Sequence, residues 1–147
     1  MTIALRAHHL LCMLTYVGKG YSAAFAHNFD GVVSRLASGE EVLVVEGPDA
    51  ICAPLCASEG ACAHCHGAQA RARDERAAQE LAPLLVGGLP GAGSRLQLDG
   101  GLLARLRAQY ASGHVRGACT GCEWAEACSG IAAAGYEGVR LRMAPPA

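Results

Sequence analysis

Eight cysteines in a chain of 147 residues are distributed unevenly, and their distribution limits what the chain can fold into. Cys12 stands alone near the start; Cys52, Cys56, Cys62 and Cys65 crowd one short segment, and Cys119, Cys122 and Cys128 another. Thiols this close together in sequence are explained by covalent pairing or by a shared cation. An even number makes a disulfide framework the default, but that default requires an oxidising compartment. Nothing else in the sequence supports one. Leu10 to Val17 is too short to span a bilayer. Ala24-Phe25-Ala26 imitates a signal cleavage site, yet Gly18-Lys19-Gly20 interrupts the approach and Arg6 is a poor basic leader. The expectation is a cytoplasmic protein with no membrane anchor, and metal ligation as the use of its thiols.

A hydrophobic fraction of 52% is enough for one modest core, so a single domain over residues 1–147 is expected. Twelve basic and thirteen acidic residues leave a net charge of −1, which gives no electrostatic footprint for nucleic acid. Arginines gather at Arg71, Arg73 and Arg76, but Asp74 and Glu75 interleave them, and the segment reads as a solvated helix face.

The fold class expected is α+β. Ile3 and Leu5 alternate in a short strand, Ala7 to Tyr16 reads as a short helix, and Ser22 can cap a second helix through Phe25, Phe29, Val32 and Leu36. Ser38-Gly39 ends it, and Val42 to Val45 reads as a buried strand. Strand, helices and strand make a βαβ-like N-terminal half with two parallel strands. Cysteine-rich loops and short helices follow. Ala68 to Leu81 should be helical until Pro83, Gly87 to Gly93 should connect flexibly, and Asp99 should cap a helix burying Leu102, Leu106 and Tyr110.

The strongest chemical signal is Cys119-Thr-Gly-Cys122-Glu-Trp-Ala-Glu-Ala-Cys128. A two-residue gap lets a tight turn aim both sulphurs at one site, and the five-residue gap allows a helical turn before the third returns. Without a cation, three such thiolates would repel one another and stay largely protonated. Trp124 could shield the site or simply fill core. In the other segment, Cys62-Ala-His-Cys65 is a second such turn, flanked by His64 and His66. Zinc ribbons place their pairs about 15 to 20 residues apart. Two expected helices lie between the pairs here, so a simple ribbon is disfavoured while a composite zinc site stays open. On the first helix, His8 and Cys12 fall one turn apart on one face. Cys12 reads either as a reactive thiol beside two histidines or as a buried core cysteine.

Several chemistries are excluded. Cys52 and Cys56 lack the third cysteine of a radical S-adenosylmethionine site, since Glu59 stands there, and the chain is too short for a (β/α) barrel. It has no glycine-rich phosphate loop and no hydrolase elbow.

His8-His9-Leu10-Leu11-Cys12, Gly18-Lys19-Gly20-Tyr21-Ser22, the run Glu46 to Pro54 and the last cysteine loop together resemble the domain of unknown function 1284 family, small bacterial and archaeal proteins with a suggested role in iron-sulphur binding. The resemblance covers most of the chain, more loosely from Ala82 to Gly117. It implies that the cysteines are cluster ligands. The chain departs from the family pattern Cys-Ala-Pro-Cys by the insertion of Leu55, and it carries both Cys62 and Cys65 where one cysteine is typical. The last loop also resembles part of the auxiliary-cluster domains of some radical enzymes, but Ala132 occupies the position of their next cysteine.

The resulting expectation is an iron-sulphur protein acting in electron transfer or redox sensing, with one or two [4Fe-4S] clusters and a redox protein partner. The alternative is a zinc-stabilised binding module. The expected ligands are Cys12, Cys52, Cys56, Cys62, Cys65, Cys119, Cys122 and Cys128, with His8 beside them. In the two-cluster arrangement Cys12 completes the set Cys119, Cys122 and Cys128. His9, about a quarter-turn round the helix from His8, should do a different job.

Overall fold

A computed structural model describes residues 2–19, 22–47, 49–51, 68–85, 91–120, 122 and 124–143. Strand β1 (Thr2–Leu5) leads through a three-residue turn into α1 (His9–Thr15), and α2 (Ala23–Ala37) then returns the chain to β2 (Glu41–Val44). β1 and β2 pair in parallel, with Ile3 opposite Val42 and Leu5 opposite Val44, so the βαβ opening is present as expected. All four of these side chains are buried.

The period-2 pattern of the strands and the 3.6-residue pattern of the helices converge on one core. In α2, Ser22 accepts a hydrogen bond from the Phe25 N–H at 3.1 Å, and Phe25, Phe29, Val32 and Leu36 are all buried. Gly39, at a φ of +98°, lets the chain leave the helix in the left-handed region that other residues avoid. Tyr16, just past α1, stacks on Phe29 with ring centres 3.9 Å apart and joins the two helices.

After residues outside the described set come α3 (Ala68–Leu81) and a 3₁₀ turn (Ala82–Leu84) that takes Pro83 into its first turn, where a missing N–H is harmless. A two-residue strand β3 (Arg95–Leu96) pairs antiparallel with β2 and completes the sheet in the order β1-β2-β3. The sequence gives β3 no period to read, because two residues show none. Helix α4 (Gly100–Ala111) starts where Asp99 accepts from the Leu102 N–H at 2.7 Å, and it buries Leu102, Leu106 and Tyr110 as its spacing predicts. The Arg107 guanidinium donates to the carbonyl oxygens of Leu14 and Leu141, which ties the end of α1 and the C-terminal segment to α4.

A second 3₁₀ turn (Gly117–Cys119) and α5 (Ala125–Ala133) follow. Helix α5 is longer than the short turn expected around Glu123 to Glu126, and none of its residues is fully buried. The fold is a small α+β domain with five helices and a mixed three-stranded sheet among its described residues. No helix of these residues is long and apolar enough to cross a membrane.

Candidate metal centre

The cysteines that the structure describes come together from opposite ends of the chain. Cys12 projects from α1, Cys119 ends the 3₁₀ turn, Cys122 lies in the following loop and Cys128 belongs to α5. All four line one cavity of about 850 Å³, and all four are free thiols. Cys52, Cys56, Cys62 and Cys65, together with His64 and His66, lie outside the described residues.

The sulphurs sit in a polar collar set in apolar walls. Thr15, one turn along α1 from Cys12, donates from Oγ1 to Cys128 Sγ at 3.1 Å. The Tyr110 hydroxyl lies 3.7 Å from Cys119 Sγ. The Arg116 guanidinium stacks over the Tyr110 ring at 4.5 Å and donates to Ser129 and to the Ala125 carbonyl, and its buried Nε has no hydrogen-bond partner among the described residues. Burial opposes the Arg116 charge, but Tyr110 and the nearby Cys119 and Cys128 outweigh it and hold the guanidinium more firmly protonated. Burial, reinforced by Cys119, Cys122 and Cys128, pushes the Cys12 thiol well above its ordinary range. Burial and the same neighbours Cys119 and Cys128 raise the Tyr110 hydroxyl. Trp124 is partly buried and lines the cavity, the shielding position considered from the sequence.

The anchoring of this region is polar as well as apolar. The Gly117 N–H donates to Glu80 Oε1 at 2.8 Å, which fastens the turn before Cys119 to α3. A side chain at Gly117 would run into the Glu80 carboxylate and the Arg76 guanidinium, so only glycine fits this approach without displacing them.

A second polar group lines the same cavity where β1 ends. Arg6, His8 and His9 line it just past the carboxyl end of β1, and Asp49, which follows β2, stands behind His9. His8 Nδ1 meets Asp74 Oδ1 at 2.7 Å, and His9 Nδ1 meets Asp49 Oδ2 at 2.7 Å. Asp74 also accepts from the His8 backbone N–H at 3.1 Å and from Arg6 Nε at 3.0 Å, and Arg6 Nη2 lies 2.9 Å away in the same ion pair. Asp49 accepts from the backbone N–H groups of Arg6 at 2.8 Å and Ile51 at 3.0 Å. Burial pushes the His8 imidazole down to about 4 despite its hydrogen bond to Asp74. Burial works to raise Asp74, but the bonds from His8 and Arg6 prevail and lower it.

His8 and Cys12 therefore share a cavity, as their spacing implied, and His8 and His9 differ in the carboxylate each engages. Asp74 and Asp49 escaped the sequence reading. Arg71 and Arg76 do face solvent, but Asp74 lies in the inward stripe Ala70, Asp74, Ala77 and Leu81 of α3. Its helical spacing was the available signal; the surrounding charges obscured it. Among the described residues no three histidine, cysteine, aspartate or glutamate side chains converge closely enough to hold a single metal ion.

The family described as "Protein of unknown function (DUF1284)" matches residues 20–128. The matched span runs through the middle cysteine segment to Cys128, while His8, His9 and Cys12 precede it. No curated protein and no solved structure matches the chain.

Proposed function

Since the chain belongs to the DUF1284 family, whose description assigns no activity, we propose from the site itself that it is an iron-sulphur protein of electron transfer or redox sensing, with Cys12, Cys119, Cys122 and Cys128 as one ligand set. The observation that carries this reading is the assembly of four free thiols from four places in the fold around one cavity. Their chemistry fits a cluster. Four thiolates would bring mutual repulsion that the buried site opposes, as the raised Cys12 thiol shows; iron supplies the compensating positive charge.

The collar fits the same group. Thr15 donates to the sulphur of Cys128, and Arg116 keeps a fixed positive charge and a spare buried N–H beside Cys119. Hydrogen bonds and charge near cluster sulphurs favour the reduced, more negative form and raise its potential. The zinc alternative needs tighter convergence: with bonds of about 2.3 Å, tetrahedral zinc draws its thiolate sulphurs to roughly 3.8 Å from one another. Among the described residues no three thiols converge on a single-ion geometry, which suits a polynuclear group better than one zinc ion. Cys52, Cys56, Cys62 and Cys65 would hold a second cluster, and a redox protein in the cytoplasm would exchange electrons with either.

Anaerobic purification with iron, acid-labile sulphide and zinc quantified together tests the reading. Matched iron and sulphide are expected, and stoichiometric zinc without sulphide would defeat it. In Cys12→Ser, about half the iron of a two-cluster protein should be lost or made labile while the other cluster's spectrum persists. Unchanged iron and spectrum would remove Cys12 from the ligand set.

A further inference from the structure

We propose that His8 and His9 form a second, nitrogen-donor site, binding one divalent transition-metal ion through their Nε2 atoms and separate from the thiols. The two side chains are adjacent in sequence, line the same cavity and lie with ring centres 4.5 Å apart. Two imidazoles bound through Nε2 to one tetrahedral ion, each at about 2.0–2.1 Å, have ring centres about 5 Å apart. The pair is thus close to ligating separation.

The nitrogens are also prepared for that role. An ionised carboxylate can only accept, so Asp74 and Asp49 hold the proton of each ring on Nδ1 and leave Nε2 as the donor atom. Neither Nε2 has a hydrogen-bond partner among the described residues. A carboxylate behind each ligating histidine is the outer-shell arrangement that orients metal-binding imidazoles and raises their basicity. One residue braces both carboxylates: Arg6 grips Asp74 with its side chain and Asp49 with its backbone N–H. That amounts to a buried arginine and two nearly buried aspartates spent on aiming two rings. Placement agrees, since ligands of open sheets with parallel strands gather beyond the carboxyl ends of those strands, where Arg6 to His9 and Asp49 lie.

The class of ion follows from the donors. Imidazole suits zinc, iron, nickel and copper, whereas magnesium and calcium take oxygen. Two protein donors leave coordination positions to water or to a small ligand, the open form of a site rather than the closed structural form.

The site does not depend on the thiols' holding a cluster, and cobalt(II) separates the two. Cobalt titrated anaerobically into the full chelator-treated chain should bind at an imidazole site, seen as d–d absorption without sulphur-to-metal charge transfer. His8→Gln and His9→Gln should each remove one equivalent of that binding and leave thiolate bands, or the iron and sulphide of the purified protein, unchanged. Asp49→Asn and Asp74→Asn keep the size of the side chains and should weaken the binding about 10- to 100-fold. Should a histidine variant fail to fold, these two still decide. Cobalt binding unaltered in every variant, or confined to bands that vanish only with cysteine substitutions, would overturn the site. Absence of iron and sulphide from the wild-type protein would sink the cluster reading alone.

Discussion

Asp74 shows how much one position can carry. On α3 it takes the place that Ala70, Ala77 and Leu81 would assign to an apolar residue, and it is tolerated there because His8 and Arg6 answer its charge. The consequence is a pH dependence. In the unfolded chain the His8 imidazole titrates near its ordinary 6.5, but folding lowers it to about 4. Between those values the unfolded chain binds more protons, so acid favours unfolding. This contribution is complete above pH 6.5 and is lost as the pH falls toward 4, up to about 3 kcal/mol in all. Asp74, lowered below 3.8, extends the loss to still lower pH. Urea midpoints of the metal-free chain should therefore fall steeply from pH 6.5 to 4. In His8→Gln that part of the slope should disappear; a slope unchanged by the substitution would show that other groups produce it.

At the scale of elements, the helices were legible wherever cap and stripe agreed. Ser22 and Asp99 mark the starts of α2 and α4, and each cap makes the backbone hydrogen bond expected of it. Replacing Asp99 with alanine leaves the Leu102 N–H without its acceptor and should cost about 1 kcal/mol, while asparagine should keep most of the stability. Equilibrium urea unfolding of both variants measures this, and an alanine variant as stable as wild type would mean that the cap contributes nothing. The parallel pairing of β1 with β2 was equally readable, because helices between two apolar runs leave little other topology. What sequence could not give is long-range. The sharing of one cavity by Cys12 and Cys128, and the pairing of His9 with Asp49, depend on packing between elements rather than on any local period. The histidines and the thiols could each be singled out by type and spacing. Their carboxylate partners could not, since an acidic residue in a charged segment resembles any solvated one until its neighbours are known.

For the whole molecule, apolar anchorage is uneven: α5 has the least burial of the five described α-helices. Helix α5 buries none of its residues completely, and Cys128 lies on it. A metal group bridging Cys128 to Cys12 would fasten α5 to α1, so ligation would do for this helix what a hydrophobic stripe does for α2. Amides of Ala125–Ala133 should exchange at least about tenfold more slowly in the loaded protein than in the metal-free one, with those of α2 little changed. Hydrogen exchange read by mass spectrometry would show it, and equal protection of α5 in both forms would count against the cluster as its fastening.

The contact between Thr15 and Cys128 joins residues 113 positions apart, which sets a timetable for the newborn chain. At a synthesis rate of about 5–20 residues per second, roughly 6 to 23 seconds separate the appearance of one from the other. During that interval β1, α1, α2 and β2 can come together on the ribosome while Cys12 waits for the other members of its set. Were this set to hold a cofactor, delivery would have to wait until Cys128 has emerged, and would act on a scaffold whose earlier elements are already made.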